Sequence, residues 1–388
     1  MSKLDELIAE LCPDGVEYVK LGDVIKLEKG KQLNKEFLTE QGKYPAYNGG
    51  VTHSGFTDKY NYDENKIIIS QGGASAGFVN FVKTKFWANA HCYVVLPIEH
   101  YINNRYAYHF IKSKQTKLMD KQHGAGIPAL RSSEINNLKI PLPPLPVQQE
   151  IVRILDNFTE LTAELTAELT ARRKQYEYYR DLLLTFGDEV PIVKLGEIGT
   201  IIRGSGLQKK DFTDRGVGCI HYGQIYTYYG AFTFETKSFV SPELASKLKK
   251  VNTGDIIIAV TSENVEDVCK CVAWLGENEI VTGGHTAILK HNQNPKFISY
   301  CLQTYSFFKQ KRKIAQGTKV IEVAPKKLEQ ISIPLPSLEE QERIVAILDR
   351  FDALCNDLTS GIPAEIEARQ KQYEYYRDKL LSFKEVTA

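Results

Sequence analysis

Apolar residues recur every three or four positions along two long stretches of the chain. From Val147 to Phe186 they form a single stripe, which predicts one helix of roughly 40 residues and about 60 Å. The same stripe runs from Leu338 to Phe383, interrupted at Ser360–Pro363, where glycine followed by proline predicts a helix break. Since neither stripe can stay exposed, we expect the two helical regions to pack antiparallel as a coiled coil. The alternative is that each docks only on its own domain.

Two other stretches contain short apolar runs separated by glycine-rich turns, a pattern that predicts strands followed by one helix. In the first stretch the strands are expected at Lys66–Ser70, Gly77–Val82 and His91–Leu96, and the helix at about Asn104–Lys121. In the second they are expected at Asp255–Val260, Lys270–Leu275 and His285–Lys290, and the helix at about Pro295–Lys313. The predicted fold class is therefore α+β, with two mixed α/β bodies separated by the long helices.

The second half of the chain repeats parts of the first. Three segments recur: VKLGDV (Val19–Val24) as VKLGEI (Val193–Ile198), IPLPPLPVQQEIVRILDNF (Ile140–Phe158) as IPLPSLEEQERIVAILDRF (Ile333–Phe351), and ARRKQYEYYRDLLLTF (Ala171–Phe186) as ARQKQYEYYRDKLLSF (Ala368–Phe383). Such self-similarity indicates an internal duplication with a pseudo-twofold axis. The two bodies have diverged almost completely, so a similar helical frame carries two different surfaces.

The repeat suggests four parts: a first body with a short N-terminal helix (1–146), a central helical region (147–186), a second body (187–337) and a C-terminal helical region (338–388). Inside the central helix, LTAELTAELTA (Leu161–Ala171) is a four-residue repeat of good helix formers. One unit more or less would change the helix length by about 6 Å and rotate the downstream end of the helix by about 40°. We interpret this repeat as an adjustable spacer.

Composition is that of a soluble globular protein. The chain has 388 residues, 43% of them hydrophobic and 25% charged, which is enough for two cores. It contains no run of about 18 apolar residues, and MSKLDELIAEL at its start predicts an amphipathic helix rather than a signal peptide. Seven cysteines at irregular positions do not suggest a disulfide framework. We expect a protein of the reducing cytoplasm.

The net charge is only +1, but the charges are unevenly distributed along the chain. Lysine and arginine gather in the bodies, whereas glutamate concentrates on the helical regions. Each basic run taken alone could be an ordinary solvated face, yet several runs confined to the bodies favour contact with a polyanion.

Signatures of catalysis are missing. An amino-methyltransferase needs an Asn- or Asp-Pro-Pro-aromatic motif, and here Pro143 and Pro144 are followed by leucine. The lone G-x-G at Gly204–Gly206 is too weak to indicate an S-adenosylmethionine site, and no Walker sequence is present. Cys269 and Cys271 have a poor spacing for zinc on a strand. We predict no catalytic residue, cofactor or metal, and assign structural roles to His91 and His285, which occupy matching places at the start of matching strands.

The paired PLPPLPVQQEIVRILD and PLPSLEEQERIVAILD segments, the two KQYEYYRD helices and the TAEL units resemble the specificity subunit of type I restriction-modification systems. The resemblance covers essentially the whole chain. It implies a non-catalytic protein in which two target-recognition domains, about Val16–Pro141 and Val190–Pro334, each read half of an asymmetric bipartite site in double-stranded DNA. It also implies that the helices fix the half-site spacing and dock two modification (methyltransferase) subunits, with restriction subunits joining through the complex.

Polar side chains on loops read base edges, and basic side chains on helices contact phosphates without sequence information. The base-reading candidates are Lys29, Lys31, Gln32, Asn34, Tyr47, Asn48, Gln71 and Ser75 in the first body, and Arg203, Ser205, Gln208, Lys209, Tyr222, Gln224, Thr261 and Asn264 in the second. The phosphate candidates are Lys117, Lys121, Lys309, Lys311, Arg312 and Lys313. Any of these loops could also be an ordinary polar turn.

Both closing helices carry a tyrosine cluster, for which we favour helix packing and subunit contact over stacking on bases. The subunit-interface candidates are Tyr176, Tyr179, Arg180, Tyr373, Tyr376 and Arg377. Two alternatives stay open. One is the recognition subunit of a type IIB-like system, in which a single other polypeptide cleaves and methylates. The other is a coiled-coil scaffold with two sugar- or peptide-binding bodies.

Overall fold

The computed structural model describes residues 2–124, 128–357 and 360–386, and the chain divides into two compact units. Unit 1 combines the chain up to Leu165 with the residues from Ile366 onward, and unit 2 consists of Thr166–Glu365. Each unit therefore holds one body together with a piece of both helical regions.

Unit 1 contains short helices and three small sheets. Its body consists of α1 (Lys3–Leu11), β1 (Tyr18–Lys20), α2 (Leu21–Val24), β2 (Ile25–Lys29), β3 (Tyr44–Tyr47), β4 (Gly55–Thr57), β5 (Lys66–Ser70), β6 (Val79–Val82), β7 (Trp87–Ala88), β8 (Cys92–Pro97), α3 (Asn104–Ser113), α4 (Gln115–Asp120), α5 (Ser132–Asn136) and β9 (Lys139–Pro141). Helix α6 (Leu145–Leu183) follows, and the division between the units falls inside it.

Unit 2 repeats this order with additions. Its body consists of β10 (Ile192–Lys194), α7 (Leu195–Ile198), β11 (Gly199–Arg203), β12 (Val217–Ile220), α8 (Tyr222–Thr227), β13 (Phe232–Thr233), β14 (Ser238–Val240), α9 (Pro242–Ala245), β15 (Lys249–Val251), β16 (Ile256–Ala259), β17 (Thr261–Ser262), β18 (Cys271–Trp274), β19 (Ile280–Thr282), β20 (Thr286–His291), α10 (Pro295–Cys301), α11 (Tyr305–Ile314), β21 (Ile321–Glu322), α12 (Pro325–Leu328) and β22 (Ser332–Pro334). The second helical region consists of α13 (Leu338–Asn356) and α14 (Ile362–Leu380).

The two bodies share one sheet topology although their sequences have diverged. Unit 1 has an antiparallel sheet in the order β2-β8-β5-β6, and unit 2 has β11-β20-β16-β18 with β13 added at the edge. A second sheet is β4-β3-β7 in unit 1 and β14-β12-β19-β15 in unit 2, with the β3–β7 and β12–β19 pairs parallel. The pairs β1-β9 and β10-β22 close the bodies. The duplication inferred from the helices therefore extends to the bodies.

The central strands explain the continuous apolar runs in the sequence. Strands β5 and β16 each lie between two neighbours and carry isoleucines at consecutive positions, Ile67–Ile69 and Ile256–Ile258, at most 3% exposed. A strand covered on both faces does not alternate apolar with polar residues. The runs predicted as strands are therefore the middle strands of the two main sheets.

Most predicted elements are confirmed, with differences at their ends. The central helix runs from Leu145 to Leu183, and the second helical region ends one helix at Asn356 and begins the next at Ile362. Each predicted body helix is two helices: α3 and α4 divide at Lys114, and α10 and α11 divide where Thr304 caps a new helix. The recurring VKLG segments each end a short strand and continue into a short helix at the leucine.

The helical regions contact each other within both units. In unit 1, Phe158 of α6 stacks on Tyr376 of α14, with ring centroids 5.4 Å apart. In unit 2, Tyr179 of α6 stacks on Phe351 of α13 at 5.7 Å. Tyr179 follows Phe158 along α6, whereas its partner Phe351 precedes Tyr376 in the second region. The two regions therefore run antiparallel, as the two stripes predicted.

Unit 1 is closed by residues from opposite ends of the sequence. The Val16 N–H donates to the Lys384 carbonyl (2.9 Å), and the Val386 N–H donates to the Val16 carbonyl (3.0 Å). The Tyr18 hydroxyl donates to the Phe383 carbonyl (3.0 Å). The segment after α14 is therefore an integral part of the first body.

A polar cluster, here called joint 1, attaches the first body to both helical regions inside unit 1. Asp156 of α6 accepts hydrogen bonds from Arg105 and from His109 Nε2 (2.8 Å), and His109 Nδ1 lies 2.9 Å from the Tyr373 hydroxyl of α14. Burial pushes the pKa of Asp156 upward, but the hydrogen bonds from His109 and Arg105 outweigh it and bring the pKa to about 2. The carboxylate therefore stays ionised and orients both donors.

Unit 2 holds the equivalent cluster, joint 2, with different chemistry. Asp349 of α13 accepts from Lys296 Nζ (2.6 Å) and from the Tyr300 hydroxyl (2.7 Å). Tyr300 stands at the position that matches His109 in the repeat. Its hydroxyl donates to Asp349, as His109 Nε2 does to Asp156. The hydroxyl of Tyr176, which corresponds to that of Tyr373, is buried without a hydrogen-bond partner among the described residues. Only joint 1 contains a histidine, the side chain whose ordinary pKa lies close to neutral pH.

We expect stability to fall as the pH is lowered from 7 to 5, in part through His109. Burial lowers its pKa, outweighing the opposing effect of Asp156, so the folded protein keeps the imidazole neutral while the unfolded chain protonates near pH 6.5. This contribution is present above pH 6.5 and is lost below it, by up to about 1.4 kcal/mol per pH unit. Urea unfolding at several pH values should show a shallower dependence for His109→Gln.

Other histidines set the background of that measurement. Burial also lowers the pKa of His221 and His291 in unit 2, so His109→Gln should reduce the pH dependence without abolishing it. Tyr300→Phe, at the matching place in joint 2, is the control and should leave the pH dependence unchanged. An identical pH dependence in wild type and His109→Gln would contradict the neutral, buried histidine of joint 1.

Candidate nucleic-acid interface

In unit 1, several loops meet at one end of the main sheet, because β2 and β5 end where β8 begins. We call loop cluster 1 the segments 30–34, 48–50, 71–77 and 89–91. The Lys31 N–H donates to the Ala88 carbonyl (2.9 Å), and the Asn89 N–H donates to the Tyr47 carbonyl (2.9 Å). The buried Asn89 side chain donates to the Leu33 carbonyl (3.0 Å) and accepts from its N–H (3.3 Å). These bonds hold loops of distant sequence position side by side.

Unit 2 has the corresponding loop cluster 2, the segments 204–208, 221–224, 261–264 and 283–285. At the place of Asn89 stands Gly283, which lets Leu207 approach so closely that an added Cβ would lie 3.0 Å from the Leu207 Cβ. The ring of Tyr222 lies between those of His221 (4.4 Å) and His285 (4.8 Å). The two clusters therefore occupy equivalent places but are held by different side chains.

Three backbone hydrogen bonds are common to both clusters. In cluster 1 the donors Gly30, Gln71 and Leu130 bond to the carbonyls of Cys92, His91 and Gln71, at 2.9, 2.8 and 2.7 Å. In cluster 2 the donors Gly204, Val260 and Val323 bond to the carbonyls of Thr286, His285 and Val260, each at 2.9 Å. The backbone frame is thus conserved between the repeats, whereas side chains at matching positions differ, as Gln71 and Val260 do.

The glycine that comes after β2 or β11 is required by close backbone approach. A Cβ on Gly30 would lie 2.2 Å from the Asn89 carbonyl oxygen, and one on Gly204 would lie 2.1 Å from that of Gly283. Any side chain would push the two loops apart. The glycines in EKGK and RGSG therefore mark where each cluster is assembled.

Basic side chains surround both clusters. Lys29, Lys31 and Lys35 are exposed in or beside cluster 1, and Lys209 and Lys210 are exposed directly after the first segment of cluster 2. Helix α4 lies against the 71–77 loop, because a Cβ on Gly77 would lie 2.7 Å from the backbone nitrogen of Met119. Just after the helix, Gln122 Nε2 donates to the Ala76 carbonyl (2.8 Å). Exposed lysines attract a polyanion, and the neighbouring loops carry side chains that can form hydrogen bonds with its polar groups.

The clusters offer hydrogen bonding rather than covalent chemistry. Burial raises the pKa of the Cys92 thiol to about 11, and Cys92 is 1% exposed, so it is not a nucleophile at neutral pH. All seven cysteines are buried thiols. Within residues 2–124, 128–357 and 360–386, no three His, Cys, Asp or Glu side chains are grouped as metal ligands, and no helix is long and apolar enough to cross a bilayer.

The structure brings most of the predicted base-reading residues to these two clusters or their borders. Those that are exposed are Lys29, Lys31, Gln32, Asn34, Asn48, Arg203, Gln208, Lys209 and Asn264. Tyr47, Gln71, Ser75, Ser205 and Tyr222 are half-buried there. The Gln71 Oε1 atom is buried and has no hydrogen-bond partner among the described residues. Of the phosphate candidates, Lys117, Lys121, Lys309, Arg312 and Lys313 are exposed on α4, at its end, or on α11.

Two predicted DNA contacts, Lys311 and Thr261, are wrong because their side chains are buried. Lys311 is 5% exposed, and its Nζ donates to the carbonyls of Glu266 (2.8 Å) and Val268 (2.6 Å), so it ties α11 to the adjacent loop. Thr261 is 6% exposed, with its hydroxyl 2.9 Å from His285 Nδ1. Gln224 is half-buried and makes two side-chain hydrogen bonds inside unit 2, accepting from the His221 N–H (3.0 Å) and donating to the Ser238 hydroxyl (2.7 Å). Its contact with DNA stays a prediction.

Two predicted interface residues are also wrong. Tyr176 and Tyr373 are each 6% exposed and belong to the cores of unit 2 and unit 1. Tyr179 and Tyr376 stay partly exposed while packing on Phe351 and Phe158. Arg180 and Arg377 are largely covered and pair with Asp181 and Asp378.

Sequence reasoning passed over four exposed residues at matching positions. Tyr178 and Tyr375, 64% and 63% exposed, are the outward-facing members of the two tyrosine clusters. His91 and His285, assigned structural roles, are exposed in the middle of loop clusters 1 and 2. Both members of each pair stand at matching positions of the sequence repeat, and this match could have identified them as candidates.

Comparisons with known proteins match this architecture. The family model described as type I restriction modification DNA specificity domain matches twice, at residues 13–172 and 187–368. The Escherichia coli EcoR124I/EcoR124II specificity subunit is 32% identical, covering 99% of this chain and 97% of that protein. The MjaVIII specificity subunit of Methanocaldococcus jannaschii is 25% identical over 95% of this chain and 92% of its own length.

A solved structure agrees at the level of the fold. The type I restriction-modification S subunit from M. genitalium has a TM-score of 0.58 and 21% identity, covering 96% of this chain and 98% of that one. These matches set aside the scaffold with sugar- or peptide-binding bodies. The chain belongs to the type I restriction-modification DNA specificity family, whose members are the non-catalytic subunits that recognise DNA for their multi-subunit systems.

Proposed function

We propose that this chain selects an asymmetric bipartite target in double-stranded DNA, with loop cluster 1 reading one half-site and loop cluster 2 the other. The two recognition domains correspond to residues 1–146 and 187–337, and the helical regions at 147–186 and 338–388 set the distance between the half-sites. The observation that carries this proposal is the shared hydrogen-bonded frame of the two clusters combined with their different side chains. The same backbone arrangement would place each loop cluster against DNA in the same way, and the different side chains would recognise different base sequences.

Two modification subunits dock on the helical regions in this proposal, one for each repeat. Tyr178 and Tyr375 hold matching positions, and both are about two-thirds exposed, although large aromatic side chains are normally covered. Exposed tyrosines with a polar rim are frequent in protein interfaces. Restriction subunits then join through the modification subunits, and the assembly acts in the cytoplasm.

The test is methylome sequencing of cells that produce this chain with its modification subunit. We expect methylation at a single sequence made of two different short half-sites separated by a fixed, unread gap. Gel-shift titrations of the purified complex should show affinity falling steeply with salt, because each phosphate neutralised releases counterions. A symmetric target, or methylation without sequence selection, would contradict the proposal.

A separate arm tests the docking surface. Tyr178→Ala and Tyr375→Ala together should prevent co-purification of the modification subunits, and each single change should release one of them. Tyr228→Ala, which removes an exposed tyrosine of the second body, is the matched control and should leave assembly intact. Whether the partner polypeptide also cleaves DNA separates the type I arrangement from a type IIB-like one.

A further inference from the structure

His91 and His285 stand directly before the first residue of β8 and of β20, and both are exposed. The residues after them, Cys92 and Thr286, are 1% and 0% exposed. Each histidine therefore lies at the point where a buried strand emerges into its loop cluster, and its side chain is directed away from the core.

The backbone of both histidines is fixed by the same contact. The His91 carbonyl accepts the Gln71 N–H (2.8 Å), and the His285 carbonyl accepts the Val260 N–H (2.9 Å). The first ring lies beside Gly72, since a Cβ there would be in ordinary van der Waals contact with His91 Nδ1, at 3.5 Å. A rigid backbone under an exposed side chain limits the entropy lost when that side chain binds.

The imidazole of His285 is also oriented. Its Nδ1 lies 2.9 Å from the Thr261 hydroxyl, and its ring lies 4.8 Å from that of Tyr222. Nε2 has no hydrogen bond within the described parts of the chain. A buried hydroxyl thus holds one ring nitrogen, and the other is available to a ligand outside the chain.

We propose that His91 and His285 are specificity-determining residues, each contacting a base edge in the half-site read by its own loop cluster. The proposal rests on the proposed function and adds the central reading side chain of each cluster. An imidazole nitrogen can donate to guanine O6 or N7, or accept from an exocyclic amine, at hydrogen-bond distance. Thr261 is a positioning residue for His285.

The experiment uses the whole complex with the modification subunits and sequences the methylated sites. His91→Ala should relax base preference in one half-site, and His285→Ala in the other, each by about tenfold at one position. His100→Ala is the matched control, because His100 is exposed beyond the opposite end of β8. His91 is exposed, so the thermal unfolding midpoint of His91→Ala should stay at the wild-type value. His285→Ala leaves the buried Thr261 hydroxyl unpaired and should lower the midpoint.

Paired substitutions separate reading from local structure. Glutamine places a polar atom near the position of Nε2, whereas asparagine places one near Nδ1, so His285→Gln should keep more selectivity than His285→Asn. Thr261→Val should weaken selectivity in the same half-site as His285→Ala, and Thr261→Ser should restore it. If the two histidine substitutions gave the same result, the role of Nε2 would be refuted.

The outcomes distinguish this inference from the function on which it rests. If the wild-type complex methylates no bipartite site, the proposed function fails and the histidine roles fail with it. If the wild type does so and both alanine variants keep every base preference, only the histidine roles are overturned. Uniformly weaker methylation with unchanged preferences would indicate phosphate contacts and would also overturn them.

Discussion

Inserting one Thr-Ala-Glu-Leu unit after Leu169 is expected to abolish methylation of the wild-type target and to create a target with a longer gap. The added turn lengthens α6 by about 6 Å and rotates the downstream end of the helix by about 40°, a step of one to two base pairs at about 3.4 Å each. The half-site sequences should stay unchanged, because no residue of either loop cluster is altered. Methylome sequencing of the insertion variant measures both effects.

Two further variants separate the effect of helix length from the effects of helix rotation and of the inserted sequence. The insertion lies between the two aromatic contacts of the helical regions, Phe158–Tyr376 and Tyr179–Phe351, so no residue of either stacked pair is replaced. A seven-residue helical insertion at the same place adds about 10 Å but restores the helix face to within about 20°. Replacing one TAEL unit by four other helix-forming residues keeps the length and should keep the gap. A changed half-site in any of these variants would show that α6 does more than set distance.

Exchanging residues 187–337 for the second body of a relative is expected to eliminate methylation at the original site and to replace one half-site only. The first half-site and the gap should persist, since unit 1 and the repeat in α6 are retained. Each half-site carries several base pairs worth about 1–3 kcal/mol each, so the original target should lose at least about a hundredfold in preference. A graft that changed both half-sites together would disprove independent reading.

The graft must preserve the contacts between the second body and α13. Gln341 accepts the Asn294 N–H (3.1 Å) and donates to the Pro336 carbonyl (2.9 Å), while Lys296 and Tyr300 bond to Asp349. A donor body that lacks these partners leaves a buried amide and a carboxylate unpaired, at a cost of about 1–3 kcal/mol for each group. Grafts that restore these residues should assemble normally, and matched grafts without them should unfold at lower temperature.

The helical frame and the middle strands could be predicted from the sequence because their signals are local and repeated. The stripe from Val147 to Phe186 predicted α6 to within three residues at either end, and the isoleucine runs marked β5 and β16. Strands β2 and β11 were not predicted, nor were those of the second sheets, because they are short and carry no distinctive pattern.

The candidate sites were predictable as regions but not as individual side chains. Glycine and polar residues predicted turns at EKGKQLNK and RGSGLQKK, and these turns lie at matching positions beside the main sheets of the two units. No pattern reveals that Lys311 donates to two carbonyls under its helix, or that Tyr300 takes the place of His109. Those facts depend on contacts between residues far apart in sequence, which a single sequence does not encode locally.

The closure of the first body by Val16, Phe383 and Lys384 has a consequence for biosynthesis. As the chain leaves the ribosome at about 5–20 residues per second, the first body waits tens of seconds for the strand-like tail that completes it. The second body and its helices are contiguous in sequence and can finish earlier. The second body would then complete its fold before the first, although it is translated later. A premature stop after α13 would leave the second body complete and the first body without its closing segment.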